Sequence, residues 1–359
     1  MALTQVRPEG LGFVNGRRNL IINGAMQVAQ RGTSSTSADI QTVDRWKVQR
    51  SGDVTQSQED LSSSDTPYSY GFRKALKLLN TSNADAGNTY TQVFQVIEAQ
   101  NVANSGWDYT SSSSYITAQF WVKSSLAGTY SGFLRSNEGT VKSYSFDFVL
   151  VANTWKHVTV TVPGNSGITI NNDNGNGLDL FIAPYYGANF TTSSHTDNVW
   201  QTYSGSDLAG DSAQNWKNTS NATFFITGVQ LEVGTNASDF EYESYGETLQ
   251  KCQRYYYQTV YKGSADTTYA IGVAANSSTA AQCMAPFPVT MRAAPTFVVG
   301  GDVAVYDGDS VNTITNISAN GSSTTSGTFN VDGSGLTTGR GVAIIANASS
   351  EYLSFSAEL

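Results

Sequence analysis

Two histidines are present, His157 and His195, and neither has a Cys or second His at zinc-ligand spacing. His157 falls on the polar side of an alternating segment, and His195 lies in a Ser/Thr-rich stretch before Trp200. No Gly-x-Ser-x-Gly elbow and no Gly-x-x-x-x-Gly-Lys phosphate loop occurs. A glycosidase needs two carboxyl groups about 5–9 Å apart across a sugar. Asp108, beside Trp107 and Tyr109, and Asp207 and Asp211, between Tyr203 and Trp216, are the acids near aromatics, but no spacing pairs them. The oxygen-rich run from Asn171 to Asp179 lacks the calcium-loop spacing and its closing Glu, so a tight turn explains it, as it does Asp307-Gly308-Asp309. Cys252 and Cys283 sit among apolar or aromatic residues and read as reduced core thiols. The expectation is a chain that is not an enzyme, holding no metal and no cofactor.

The residue types that suggest binding are aromatic. Trp107, Tyr109, Trp200, Tyr203 and Trp216 stand in polar, loop-like contexts, where flat apolar rings could stack on sugars. They are the expected glycan contacts. Trp46, Trp121 and Trp155 lie in strand-like contexts and read as core or sheet-face residues.

Such loops need a rigid support, and the sequence predicts one made of strands. Ile116, Ala118, Phe120 and Val122 alternate with Thr117, Gln119 and Lys123. Tyr144, Phe146, Phe148 and Leu150, then Val158, Val160 and Val162, then Leu178, Leu180 and Ile182 repeat that period of two. Pro163-Gly164, Asn174-Gly175 and Asn176-Gly177 supply turns. The predicted fold is all-β: a jelly-roll β-sandwich over 19–245, a short helical connector over 246–257, and a smaller C-terminal β-sandwich over 258–359. The stretch from Ser310 to Thr338 reads either as edge strands with long turns or as loops. Residues 1–18 have no periodicity and read as an extended arm, with Leu11, Phe13 and Val14 as its anchoring side chains.

Composition narrows the partners. The chain has 359 residues, 14% charged against about 25% in ordinary domains, and a net charge of −9. That balance argues against a broad nucleic-acid surface. No apolar run reaches the length of a membrane span, and the first residues lack a signal-peptide pattern, so no membrane insertion is expected and assembly in cytoplasm is. Low charge and the aromatic run near the helix predict a homotrimer that buries Leu249, Tyr255 and Tyr256 between subunits.

Several segments together carry a family likeness. Residues 18–32 (RNLIINGAMQVAQRG), 42–46 (TVDRW), 224–234 (FFITGVQLEVG), 239–242 (DFEY), 249–256 (LQKCQRYY), 287–296 (FPVTMRAAPT) and 355–359 (FSAEL) resemble a tail-fibre family of phages and prophages, of marine and cyanophage type. The body is also loosely similar to the jelly-roll carbohydrate-binding modules, through its NLIING opening and Trp121-Val122-Lys123. The resemblance implies a virion structural protein, a tail fibre or spike subunit in host attachment. Its arm would bind other virion proteins, and its distal part or loop tips would meet a host-surface glycan. A head-decorating protein and a free carbohydrate-binding module remain the alternatives. The likeness assigns no ligand residue.

Overall fold

A computed structural model describes residues 18–83, 86–210, 214–260, 267–274, 277–346, 348 and 350–359. Leu11, Phe13 and Val14 lie outside the described residues, as does Asp211. The chain divides into two units between Tyr245 and Gly246.

The strands of the first unit follow the alternation closely. They are Ser34–Ser35 (β1), Lys47–Arg50 (β2), Val54–Asp60 (β3), Lys74–Asn80 (β4), Tyr90–Glu98 (β5) and Tyr115–Ser124 (β6). Gly128–Ser136 (β7), Lys142–Leu150 (β8), Lys156–Pro163 (β9), Asn176–Tyr186 (β10), Trp200–Thr202 (β11) and Thr223–Val233 (β12) complete them. Two helical turns interrupt, Thr66–Ser69 (α1) and Ala99–Ala103 (α2). One six-stranded sheet has the order β1-β3-β4-β12-β6-β9, the other β11-β8-β7-β10-β5-β2. Ile116, Phe120 and Val122 of β6 point inward with Phe146 and Phe148 of β8 and Leu178 and Leu180 of β10, forming one core between the sheets. Each fully buried side chain of this kind contributes about 2 kcal/mol. The alternate residues of β6, Gln119, Trp121 and Lys123, therefore face outward from the first sheet.

The segment that carries the family likeness is a structural clasp. Asn19 accepts from Leu231 N at 3.0 Å and donates to Val229 O at 3.2 Å, tying the chain to β12. Asn23 holds Val28 through N and O, and the Trp46 indole donates to Asn23 O at 3.1 Å. Asp44, buried, accepts from Gln30 N at 3.1 Å and from its side-chain amide at 2.5 Å. A Cβ on Gly24 would sit 2.0 Å from Val229 O, so only glycine fits that crossing.

The division falls at the first residue of helix Tyr245–Gln253 (α3), whose buried residues are Thr248 and Cys252. The strands of the second unit are Tyr256–Gln258 (β13), Thr267–Val273 (β14), Ala280–Pro286 (β15), Thr296–Gly300 (β16), Ala304–Tyr306 (β17), Val311–Ser322 (β18), Ser326–Gly333 (β19), Gly341–Ala346 (β20) and Tyr352–Ser356 (β21). The expected connector of 246–257 thus ends early, because Tyr256 and Tyr257 already pair with Ser356 and Phe355. Six strands close into a barrel, β14-β15-β19-β18-β17-β20, beside a three-stranded sheet, β13-β21-β16. The all-β reading stands, and the finer form is a barrel rather than two open layers, because β20 pairs with both β14 and β17 and removes the edge. The stretch from Ser310 to Thr338 holds two long strands, β18 and β19.

Candidate functional site

Of the five aromatic residues expected to face sugars, three are core. Trp107 is 3% exposed, Trp200 8% and Trp216 0%. The Trp107 indole donates to Ser114 O at 3.3 Å within its own loop, and Trp200, at the start of β11 opposite Tyr144, donates to Pro163 O at 2.6 Å. Tyr109 is half-buried, its hydroxyl on Ile170 O at 3.3 Å. Tyr203 is half-buried too, with the Arg135 guanidinium 5.1 Å from its ring. The five do not form one surface. The oligomer residues need the same correction: Tyr255 and Tyr256 are buried within one chain, and Leu249 alone of that group keeps partial exposure.

Two of the acids singled out, Asp207 and Asp108, are engaged by nearby side chains. Asp207 accepts from His195 Nδ1 at 2.7 Å, and the His195 side chain is buried. Asp108 accepts from its neighbour Thr110. Among the described residues, no group of three or more His, Cys, Asp or Glu could hold a metal ion. Cys252 and Cys283 are buried and not joined in a disulfide, and burial pushes the Cys283 thiol pKa up to about 12. In the Asn171 to Asp179 loop, Asp173 Oδ1 accepts from Gly175 N at 2.8 Å, a turn closed on itself. Asp307 likewise takes the amides of Ser310, Asp309 and Thr337, which hold its carboxyl at about 2.

The open aromatic surface lies instead on the outward side of the first sheet. There a cleft of about 530 Å³ is lined by Trp121 and Gln119 of β6, His157 of β9, Gly228 of β12, Tyr70 and Phe72 before β4, and a strap of residues 237–242. Trp121 lies directly across from His157 in the β6–β9 ladder, and their rings are 4.9 Å apart. Tyr70 covers another part of Trp121 at 4.9 Å. Trp121, 9% exposed and packed in a small cluster with Phe72, lies at the base of the cleft beneath Tyr70, while Tyr70 and Tyr242 stand at the rim with 59% and 50% exposure. Phe72 packs edge-on to Phe240 at 4.9 Å and on Tyr242 at 5.5 Å.

Local sequence explains why the cleft is open. β12 bulges between Thr227 and Gln230, with Gly228 at φ 64°. A Cβ there would lie 2.6 Å from the Phe72 ring, so glycine admits both the turn and the ring. Buried polar groups hold the strap. Glu232 accepts from Ser238 N at 2.8 Å and from its hydroxyl, Gln230 Oε1 takes Glu241 N at 2.8 Å, and Glu241 takes Asn19 N at 2.7 Å. Arg18 donates to Ser238 Oγ at 2.8 Å and Asp239 O at 3.3 Å. The Tyr242 hydroxyl donates to Tyr70 O and closes one end. Partial desolvation of the His157 ring lowers its pKa, which favours the neutral form.

The sequence reading placed Trp121 on a sheet face and left out Tyr70, His157, Asp239 and Tyr242 as binding residues. The available signal was FFITGVQLEVG followed by DFEY: a glycine inside a strand pattern marks a bulge, and an aromatic pair just beyond it marks a return over the sheet.

No family model and no curated protein matches the chain. Several solved structures share part of it. The enzymatically active domain of bacteriophage CBA120 tailspike protein 4 is 11% identical over 60% of this chain and 21% of its own, with TM-score 0.33. This chain thus spans about a fifth of that tailspike chain. A family 11 carbohydrate-binding module from Clostridium thermocellum, in complex with a β-1,3-1,4-mixed-linked tetrasaccharide, is 12% identical over 56% of this chain and 95% of its own, TM-score 0.28. The N-terminal cellulose-binding domain of Cellulomonas fimi β-1,4-glucanase C is 9% identical over 59% and 99%, TM-score 0.29. At such scores these likenesses leave the function to the chain's own residues.

Proposed function

We propose that the chain is a non-catalytic virion subunit, a tail fibre or spike component of a tailed phage, whose sandwich body binds host-surface glycan. The observation that carries the binding reading is the cleft rimmed by the exposed rings of Tyr70 and Tyr242, with Trp121 at its base and His157 and the exposed Asp239 in its lining. Apolar ring faces with a few fixed hydrogen-bonding groups are what a pyranose, apolar on its C–H face and polar at its edge, requires. The virion role is supported by the RNLIINGAMQ, TVDRW and DFEY segments, which resemble the phage family.

Calorimetric titration of the purified chain with host-surface oligosaccharides tests the binding. The Tyr70→Ala variant should bind at least tenfold more weakly, about 1.4 kcal/mol, with an unchanged melting temperature, since Tyr70 is a rim residue. Equal binding by the variant, or none by the native chain, would refute the assignment. Antibody labelling of particles tests the virion role, and unlabelled particles would remove it.

A further inference from the structure

We infer that the cleft selects neutral, hydroxyl-rich glycan termini and rejects acidic sugars, with Asp239 and Nδ1 of His157 as the discriminating groups. This rests on the glycan reading of the cleft and adds which sugars enter it.

The argument follows the protons. Gln119 Nε2 lies 2.6 Å from Ser238 O and 3.3 Å from Glu232 Oε1, both acceptors, so the amide orientation is fixed. Gln119 Oε1 then faces His157 Nε2 at 2.9 Å, and that ring nitrogen must carry the hydrogen. In the neutral ring, Nδ1 is left as an acceptor. Asp239 is exposed, and its carboxylate has no hydrogen-bond partner among the described residues, its backbone oxygen alone being engaged. The two hydroxyls nearest are already committed, Ser238 to Glu232 and Tyr242 to Tyr70 O. What remains open is a carboxylate, an imidazole lone pair and the Tyr70 hydroxyl, a set dominated by acceptors.

A ligand must therefore bring donors. Sugar hydroxyls do so, and two vicinal ones suit a carboxylate, as charge-assisted bonds. A sialic acid, uronic acid or sulfate group brings acceptors and a negative charge to a site that has both already. No Lys or Arg lines the cleft among the described residues. Of the nearby guanidinium groups, Arg18 is tied down on Ser238 and Asp239 O and Arg73 on Tyr68 O and Phe72 O, while Glu232 and Glu241 stand behind the strap. The net charge of −9 adds long-range repulsion of anions.

The test is a printed array of lactose, N-acetyllactosamine, cellotetraose, maltotetraose and mannotriose, each beside its sialylated, sulfated or uronic-acid counterpart. The native chain should bind a neutral member at least tenfold more tightly than its acidic counterpart. Asp239→Asn should shrink that ratio to below about threefold, and Asp239→Lys should reverse it. Equal binding of neutral and acidic partners by the native chain overturns the inference, as does undiminished discrimination in Asp239→Asn. If the native chain binds no member at all, the glycan reading itself falls and this inference with it, an outcome distinct from the other two.

Discussion

Lys217 has no exposed surface, and its ammonium is met by Asn80 Oδ1 at 3.1 Å, Ser82 Oγ at 3.1 Å and Asp53 O at 3.4 Å. All three are neutral oxygens. Burial therefore dominates, with Arg50 adding repulsion, and the pKa falls to about 8. The folded chain releases this proton before the unfolded chain does, so its contribution to stability rises with pH between about 8 and 10.5. The urea midpoint of the native chain should climb relative to Lys217→Met over pH 8 to 10, and a flat difference would contradict this. Gly24 gives a second check. Alanine there meets Val229 O and should destabilise the sandwich by about 2 kcal/mol or more in urea unfolding. Neither role was legible beforehand, because both depend on partners far along the chain. The same holds for Trp107, Trp200 and Trp216: polar neighbours in sequence do not reveal that the ring is buried, by a returning loop or, for Trp200, on a short edge strand.

Among the elements, the strands with strict alternation were readable, since β6, β8 and β10 each set one face of large side chains into the core. β15 escaped because Ala280–Pro286 alternates only small and moderate residues. β18 and β19 answer to the edge-strand alternative for Ser310 to Thr338, which stayed open because Ser, Thr and Asn serve turns and exposed strands alike. The family-like segments of the second unit are likewise structural. Arg292 Nε donates to Ala357 O at 2.8 Å, Tyr255 O accepts from Ala357 N at 2.7 Å, and Phe287 packs on Phe355 at 4.8 Å. The strap of residues 237–242 is the element that makes the cleft, and sequence alone does not show what it lies on. Arg18 bonds it from the opposite end of the sandwich domain's chain. Arg18→Ala should loosen the strap and weaken glycan binding about threefold while moving the melting temperature little. Unchanged affinity would show that the strap is held without it.

For the whole molecule, a homotrimer of the kind the sequence leads one to expect has to use surfaces other than Tyr255 and Tyr256, whose rings are already covered within the chain. Light scattering at micromolar concentration should give about three times the chain mass, and a monomer would remove the trimer for the isolated protein. The central claim is where the sugar sits, and the chain's six tryptophans report on it separately. With 5-fluorotryptophan incorporated, the fluorine spectrum can be assigned by single Trp→Phe substitutions and followed through a titration with the array's strongest glycan. The cleft predicts that the Trp121 resonance shifts while those of Trp107, Trp200 and Trp216 stay in place. Movement of the Trp107 or Trp200 signals with Trp121 unmoved would contradict the account and return the site to the sandwich ends.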